Sequence, residues 1–254
     1  MSGKVIAITG ANGGLGRATS RRFAADGDTV IMLGRNLAKV TEAASEIAGD
    51  VWPLQCDIGD PASIRSAFAQ IGERHAVLDV LINNAGNFQA VAFAEASEEQ
   101  IIDSMNGNFL GPVLCSRAAI PLMKAGSKLI HVTSEAVDIV FAMLSMYGAG
   151  KAGLERFSRS LHQELVDSGT GIRSMVYRAG QMCGEGISTH MDEEDMGRFA
   201  DWNAKLGLRP MERGFTSYAT AADLLHSMAN LPDDAGVEIV KCFSVAGIIG
   251  NSAG

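Results

Sequence analysis

Lys4-Val5-Ile6-Ala7-Ile8-Thr9-Gly10-Ala11-Asn12-Gly13-Gly14-Leu15-Gly16 is the stretch from which the fold can be read. Lys4 to Thr9 is short, apolar and rich in β-branched residues, the pattern of a strand buried on both faces in a parallel sheet. It stops at a glycine-rich turn, and Ala18, Phe23 and Ala24 then begin a helical pattern that ends near Gly27. A plain tight turn would also account for the glycines. Strand before and helix after are the context of a dinucleotide-binding turn, in which glycines let backbone approach a pyrophosphate and the helix N-terminus offers free N–H groups. The candidate contacts are Gly10, Asn12, Gly13, Gly14, Leu15 and Gly16.

The same alternation continues outward from this unit. Thr29 to Leu33 reads as a second strand and ends in Gly34-Arg35-Asn36. An acidic residue that holds a ribose 2′-hydroxyl is expected about 20 residues past such a turn; an Arg there suits a 2′-phosphate instead. Arg35 is therefore a candidate cofactor contact, although exposed surface arginines are common. Leu37 to Ile47 reads as a helix and Val51 to Cys56 as a third strand, placed at the sheet edge by Pro53. Asp57 and Ile58 follow at its C-terminal end, where ligands of open α/β sheets bind. Pro61 to His75 is a helix with proline at its start. Leu78 to Ile82 is strand four, followed by Asn83-Asn84-Ala85-Gly86, which reads equally as an ordinary turn or as a close approach to the cofactor by Asn84, Ala85 and Gly86.

Ser97 to Met123 reads as one long helix with Ile101, Met105, Phe109 and Val113 as its apolar stripe. Pro112 lies inside it and cannot donate to the carbonyl of Asn108, which predicts a kink and an unused acceptor at Asn108. Lys128 to Thr133 is strand five, ending at Ser134, with His131 as a packing residue. Gly171 to Tyr177 is strand six, Phe215 to Leu231 a helix and Val237 to Val245 the last strand. Residues 178–213 lose the pattern. Their length, glycines, methionines and acidic run Asp192-Glu193-Glu194-Asp195 suit a lid or binding segment, bounded at about 181–207. The whole predicts an α/β protein: a single doubly wound Rossmann-type domain over 1–254, with a seven-stranded parallel sheet flanked by helices on both faces.

Tyr147 and Lys151 stand four residues apart at the head of an apolar-periodic helix that includes Leu154, Phe157, Leu161 and Leu165. They share one face, one turn apart. A nearby ammonium favours phenolate, so the pair could act as a general acid or base; a lone pair at this spacing is also common on exposed helices.

Composition narrows the function classes. With 47% hydrophobic and 20% charged residues, 254 residues can bury a full core. A net charge of −8 argues against nucleic-acid binding. No unbroken apolar run is long enough to predict a membrane span, and a strand pattern that begins by Lys4 predicts no signal peptide. Cys56, Cys115, Cys183 and Cys242 are scattered, which predicts free thiols in a reducing, cytoplasmic setting and no metal site.

Taken together these motifs resemble the classical branch of the short-chain dehydrogenase/reductase family over nearly the whole chain, to about Val245. Thr9-Gly10 with Gly14 and Gly16 is similar to the family's nucleotide turn, and Asn83-Asn84-Ala85-Gly86 to its Asn-Asn-Ala-Gly segment. Asn108, Ser134, Tyr147 and Lys151 fall where its Asn-Ser-Tyr-Lys tetrad stands. The resemblance implies an NADP(H)-dependent oxidoreductase, with NAD possible, that interconverts a carbonyl and an alcohol of a small molecule. It implies that Tyr147 exchanges the proton and that Lys151 also holds the nicotinamide ribose. It places Gly180 and Met182 beside the nicotinamide, and it implies a homo-oligomer, tetramer or dimer, built through helices near 98–123 and 147–167. Two departures stand out: Ala179-Gly180 replaces the usual Pro-Gly, and Gly184 stands where a Thr is usual. The competing reading is a non-catalytic nucleotide-sensing or interaction protein on the same fold. An extended-type sugar epimerase or dehydratase fits less well, because its chain is longer and its glycine turn differently spaced.

Overall fold

In the computed structural model, which describes residues 3–183, 191, 193–208 and 214–244, the strands and helices alternate. They run β1 (Val5–Thr9), α1 (Gly14–Ala25), β2 (Thr29–Gly34), α2 (Leu37–Ser45), β3 (Val51–Gln55), α3 (Pro61–Arg74) and β4 (Val80–Asn83). The second half holds α4 (Glu98–Met105), α5 (Gly111–Ala119), β5 (Lys128–Ser134), α6 (Ser145–Asp167), β6 (Arg173–Ala179) and β7 (Met182–Cys183). It closes with α7 (Glu193–Lys205), β8 (Thr216–Ser217), α8 (Tyr218–Ala229) and β9 (Ile239–Cys242).

Seven strands form one parallel sheet in the order β3-β2-β1-β4-β5-β6-β9. The α/β doubly wound fold expected from the sequence is thus present, with β3 and its Pro53 at the edge. Side-chain alternation along each strand divides the core in two. Ile6, Ile8, Val30 and Met32 point to one face, where α1, α2 and α8 supply Phe23, Val40 and Leu225. Ala7, Ile31, Leu33 and Leu81 point to the other, where α3, α5 and α6 supply Phe68, Cys115 and Leu161. The direction of winding reverses between β1 and β4, and the crevice beyond their C-terminal ends is where such sheets bind ligands.

Three expectations need correction. The helix expected over 97–123 is four pieces: α4, a π-helical segment Asn106–Leu110, α5 and a 3-10 turn Ile120–Leu122. Ser97 and Gln100 cap α4 reciprocally. Because Pro112 has no N–H to give, the chain widens before it; Gly111 N–H bonds back to Asn106 O, five residues away. The expected kink is therefore a π-bulge. The patternless 178–213 stretch contains a 13-residue helix, α7, and β6 continues through Arg178 and Ala179. Glu193, Glu194 and Asp195, part of the acidic run, are its first turn, where carboxylates meet the positive end of the helix dipole. The last helix begins at Tyr218, not Phe215, because Thr216 and Ser217 pair with Met182 and Cys183 as a second, two-stranded sheet. The Gly184 departure and the 245–254 tail lie outside the described residues.

All four cysteines are free thiols. Among the described residues no helix is long and apolar enough to cross a membrane, and no cluster of metal-ligating side chains is present.

Candidate active site

The glycine turn and the Asn84 segment are stitched together by one hydroxyl. Thr9 Oγ1, at the end of β1, accepts from the backbone N–H of Asn84 and of Ala85, each at 3.0 Å. Asn84 Nδ2 returns a hydrogen bond to Thr9 O at 2.9 Å. The asparagine expected to meet the cofactor thus also fixes the turn. Glycine is required here for two different reasons. Gly10 has φ +65, and a Cβ on it would lie 2.9 Å from Ala85 Cα. At Gly16 a Cβ would lie 2.4 Å from Gly10 O, so close helix–turn packing excludes any side chain.

These elements wall a cleft of about 1150 Å³ at the switch point. Gly10, Asn12, Gly13, Gly14, Leu15, Gly16, Arg35, Asp57, Ile58, Asn84, Ala85 and Gly86 all line it. Lys39 lines it as well. Sequence reasoning missed this residue, whose only signal was a position one turn inside the helix after Arg35. Asn36 N-caps that helix by accepting from Lys39 N at 3.1 Å, which sets Arg35 and Lys39 on either side of the cap. Asn106 and Gly107 of the π segment also reach the cleft. Gly180 and Met182 do not. Gly180 N–H is bound to Cys242 O at 2.6 Å, and Met182 packs against the core beside β8.

The four tetrad residues converge at the neighbouring end of β5. Ser134 closes that strand; its Oγ accepts from Ala136 N at 3.2 Å and hydrogen-bonds the Tyr147 hydroxyl. Tyr147 and Lys151 lie on one face of α6, with Lys151 Nζ 5.9 Å from the Tyr147 ring centre. Lys151 is buried and donates to Val132 O at 2.9 Å. A Cβ on Gly86 would lie 3.0 Å from Asn108 Oδ1 and 3.1 Å from Lys151 Nζ, so this glycine lets the tetrad meet the cleft wall. The fully buried Asn108 side chain clamps Asn87, accepting from its N–H at 3.2 Å and donating to its carbonyl at 2.8 Å.

The electrostatics differ from the sequence expectation. Burial raises the Tyr147 phenol above its ordinary value, the Ser134 hydrogen bond pulls it back, and the Glu135 charge pushes it up again. Lys151 does not lower it in this geometry. Its own ammonium is destabilised by burial, which brings it down to about 8. Tyr147 therefore holds its proton at neutral pH. His131 is a buried packing residue as expected: burial, then the Lys151 charge, lowers it to about 3, and its Nδ1 faces Asn83 Nδ2 at 3.2 Å.

Beneath the tetrad lies a buried ion pair that the sequence did not reveal. Glu155, one turn past Lys151, meets Arg178 through both carboxylate oxygens, Oε1 at 2.7 Å from Nε. Thr133 Oγ1 adds a bond to Glu155 at 2.8 Å. Arg178 also reaches Asp138 in the loop after Ser134, and Lys241 from β9 meets the same carboxylate at 2.9 Å. Beyond Tyr147 lies an apolar cluster of Ala90, Phe141, Met143 and Leu144, with Phe88 and Phe199 packed on it. Met143 is the sole non-glycine residue with positive φ among those described, at 66. Such a conformation costs on the order of 1–3 kcal/mol and persists where surrounding structure enforces it.

A family model described as short chain dehydrogenase matches residues 4–196. The chain belongs to that family, which is one of NAD(P)-using oxidoreductases acting on CH–OH groups. A short chain dehydrogenase, pigC, of Monascus ruber is 33% identical over 184 residues, 66% of this chain and 60% of that protein. The matched region is thus less than two thirds of that relative. Galactitol 2-dehydrogenase of Agrobacterium fabrum is 29% identical over 216 residues, 84% of this chain and 80% of the other. The crystal structure of a short-chain dehydrogenase from Streptomyces avermitilis superposes with a TM-score of 0.83 at 25% identity, covering 99% of this chain and 93% of that one.

Proposed function

We propose that this short-chain dehydrogenase interconverts a ketone or aldehyde and the corresponding alcohol with NADP(H), using Tyr147 as the proton donor and acceptor. The observation that carries the reading is the meeting of Ser134, Tyr147, Lys151 and Asn108 beside a glycine-walled cleft.

The residues present fit a dinucleotide. The walls at Gly10 and Gly16 have no room for a Cβ, so backbone faces the cleft where a pyrophosphate would lie. Arg35 and Lys39 supply two cations beside the α2 N-terminus, suited to a 2′-phosphate. Lys39 strengthens the case for NADP(H) over NAD(H), since Gly13 contributes no charge from the turn. When bound, the nicotinamide supplies or takes the hydride.

The chain's own residues handle the proton and the oxygen. Ser134 Oγ, at the strand end, donates to the substrate oxygen as negative charge develops there. Tyr147, protonated at neutral pH, gives its proton to that oxygen in reduction and takes it back in oxidation. Lys151, brought down to about 8, is poised to carry a proton near neutrality. Asn108, its side chain spent on Asn87, leaves its main-chain carbonyl ahead of Pro112 to hold a water that links Lys151 to solvent. One domain thus carries both functions, with α7 in the 181–207 region as cover for the substrate. Exposed Ile102, Leu110 and Val166 on the two long helical elements favour a homo-oligomer, which sedimentation at micromolar concentration would test.

The decisive variant is Tyr147→Phe. It keeps the ring and its edge contact with Phe88, 5.2 Å between centres, and loses only the hydroxyl. We expect kcat to fall at least ~100-fold, the lower range for general acid–base catalysis, with NADPH binding unchanged. Near wild-type kcat would remove the assignment. The same result in Ser134→Ala would favour a non-catalytic nucleotide sensor.

A further inference from the structure

We propose that Thr133, Glu155 and Arg178 are positioning residues for the proton transfer: they lock the strand end that carries Ser134 to the helix that carries Tyr147 and Lys151. This inference rests on the preceding reading and names what keeps its two halves aligned.

The sheet supplies one half of the lock. Thr133 of β5 lies in register with Arg178 of β6, and Arg178 with Lys241 of β9. Side chains in register share a face of the sheet. This row stands one residue before Ser134, at the strand ends. The helix supplies the other half. Glu155 Oε1 accepts from Thr133 Oγ1 at 2.8 Å and from Arg178 Nε at 2.7 Å, and its Oε2 takes a second bond from the guanidinium. All three side chains are buried.

Two further ties on the same stripe of α6 bracket this one. Lys151 Nζ donates to Val132 O at 2.9 Å, and Ser158 Oγ meets Ser174 Oγ at 2.8 Å. The chain beyond Ser134 is held as well. Ser134 Oγ accepts from Ala136 N inside the 3-10 turn Glu135–Val137, and Asp138, which closes that turn, meets Arg178. Lys241 meets the same Asp138 carboxylate at 2.9 Å. One guanidinium therefore fixes the turn after Ser134 and, through Glu155, the helix of Tyr147.

Stability alone does not call for such a pair. Apolar residues of similar volume often hold a core as well as a buried ion pair does. They lack direction: a two-pronged guanidinium–carboxylate contact has one geometry, whereas an apolar contact tolerates sliding. Catalysis is sensitive to that difference, because a misplacement of about 1 Å can cost about 100-fold in rate.

The test separates position from stability. Arg178→Met with Glu155→Leu makes the contact apolar and should recover most of the stability lost in Arg178→Ala. Its kcat for ketone reduction should nevertheless stay at least ~10-fold below wild type, with the KM for NADPH unchanged. Thr133→Val keeps the side-chain shape and removes one hydrogen bond. Its kcat should fall about fivefold, and Thr133→Ser should restore it.

A second readout needs no substrate. With carbon-13 at tyrosine Cζ, the resonance absent in Tyr147→Phe reports the phenol, which burial pushes up, the Ser134 hydrogen bond pulls down and the Glu135 charge pushes up. Lys151, beside the ring, and Glu135 are unaltered in these variants. In Thr133→Val and in the apolar pair the Tyr147 titration should move to higher pH, because the Ser134 bond is loosened. The same movement in a protein that reduces no ketone keeps the lock and overturns the carbonyl chemistry. A stable apolar pair with wild-type kcat overturns this inference. Should that pair fail to fold, Thr133→Val decides, and an unchanged kcat with an unchanged Tyr147 titration overturns it.

Discussion

The glycine-walled cleft, which we assign to the cofactor, and the apolar cluster beyond Tyr147, which we assign to the substrate side, meet at the C-terminal ends of β4 and β5, and they are made differently. From Thr9 to Gly86 the cleft is walled mainly by glycines and other backbone, with Leu15, Asp57, Ile58 and the two cations Arg35 and Lys39 among the side chains. Beyond Tyr147 stand large apolar side chains from two loops and a helix, held by a buried ion pair, a spent asparagine and a strained methionine. A surface of backbone and glycine offers the same groups to every dinucleotide. A surface of side chains can change with each substituent, so one fold keeps its cofactor while varying its substrate.

The strongest way to break this contrast is to remove Arg178. Arg178→Ala would leave the buried Glu155 without a charge partner and Asp138, in the loop after Ser134, held by Lys241 alone. Breaking a buried pair costs about 3–5 kcal/mol, so denaturant unfolding should show a loss of that order, with NADPH binding by the surviving folded protein little changed. Arg178→Met with Glu155→Leu should recover most of the loss. A single variant as stable as wild type would show that the ion pair does not hold the substrate side.

His131, central in β5, joins the two sides, and its test is pH. The folded protein holds it at about 3, against an ordinary 6.5. Between those values the unfolded chain binds a proton that the folded protein refuses, so stability rises with pH across this window and is lost as pH falls below 6.5. At pH 4.5 the loss from this residue should be about 2–3 kcal/mol. Unfolding free energies at pH 7 and 4.5 check it: the difference should shrink in His131→Asn, and an equal difference in both proteins would contradict it.

Gly10→Ala probes the backbone-built side. The left-handed φ of +65 and the 2.9 Å approach to Ala85 Cα both oppose a methyl group. We expect about 2 kcal/mol of destabilisation, read by denaturant unfolding, and weakened NADPH binding, read by fluorescence titration. Unaltered affinity would mean that the turn does not need its tight geometry.

The smallest effect sharpens the comparison, because it concerns the one place where the cofactor side relies on side-chain charge. Arg35→Ala should lower the NADPH to NADH ratio of kcat/KM by about 10-fold or more, as befits a charge-assisted contact. Lys39→Ala should lower it several-fold, as expected of an exposed cation. An unchanged ratio in both would remove the 2′-phosphate assignment.

Much of this was written along the chain. The β-branched run ending at Thr9, the glycines after it and the periodic helices between strands determined the parallel sheet and its cleft. Backbone demands of that kind are local: Gly10 must adopt a conformation other residues resist, and a strand buried on both faces must be apolar throughout. Ser134, Tyr147 and Lys151 were legible for a similar reason, since a strand end and a helix turn place them. The tertiary structure alone decided what surrounds them. Glu155 reads as a solvated helix charge until Arg178 arrives from β6. Lys39 is one more surface lysine until β3 and the turn close the cleft. The three phenylalanines, at 88, 141 and 199, share no spacing, and α7 was hidden by its short apolar content. Tyr147 keeps its proton because folding strips water from the ring more effectively than Lys151 offers charge to it, a balance that burial decides and residue spacing does not.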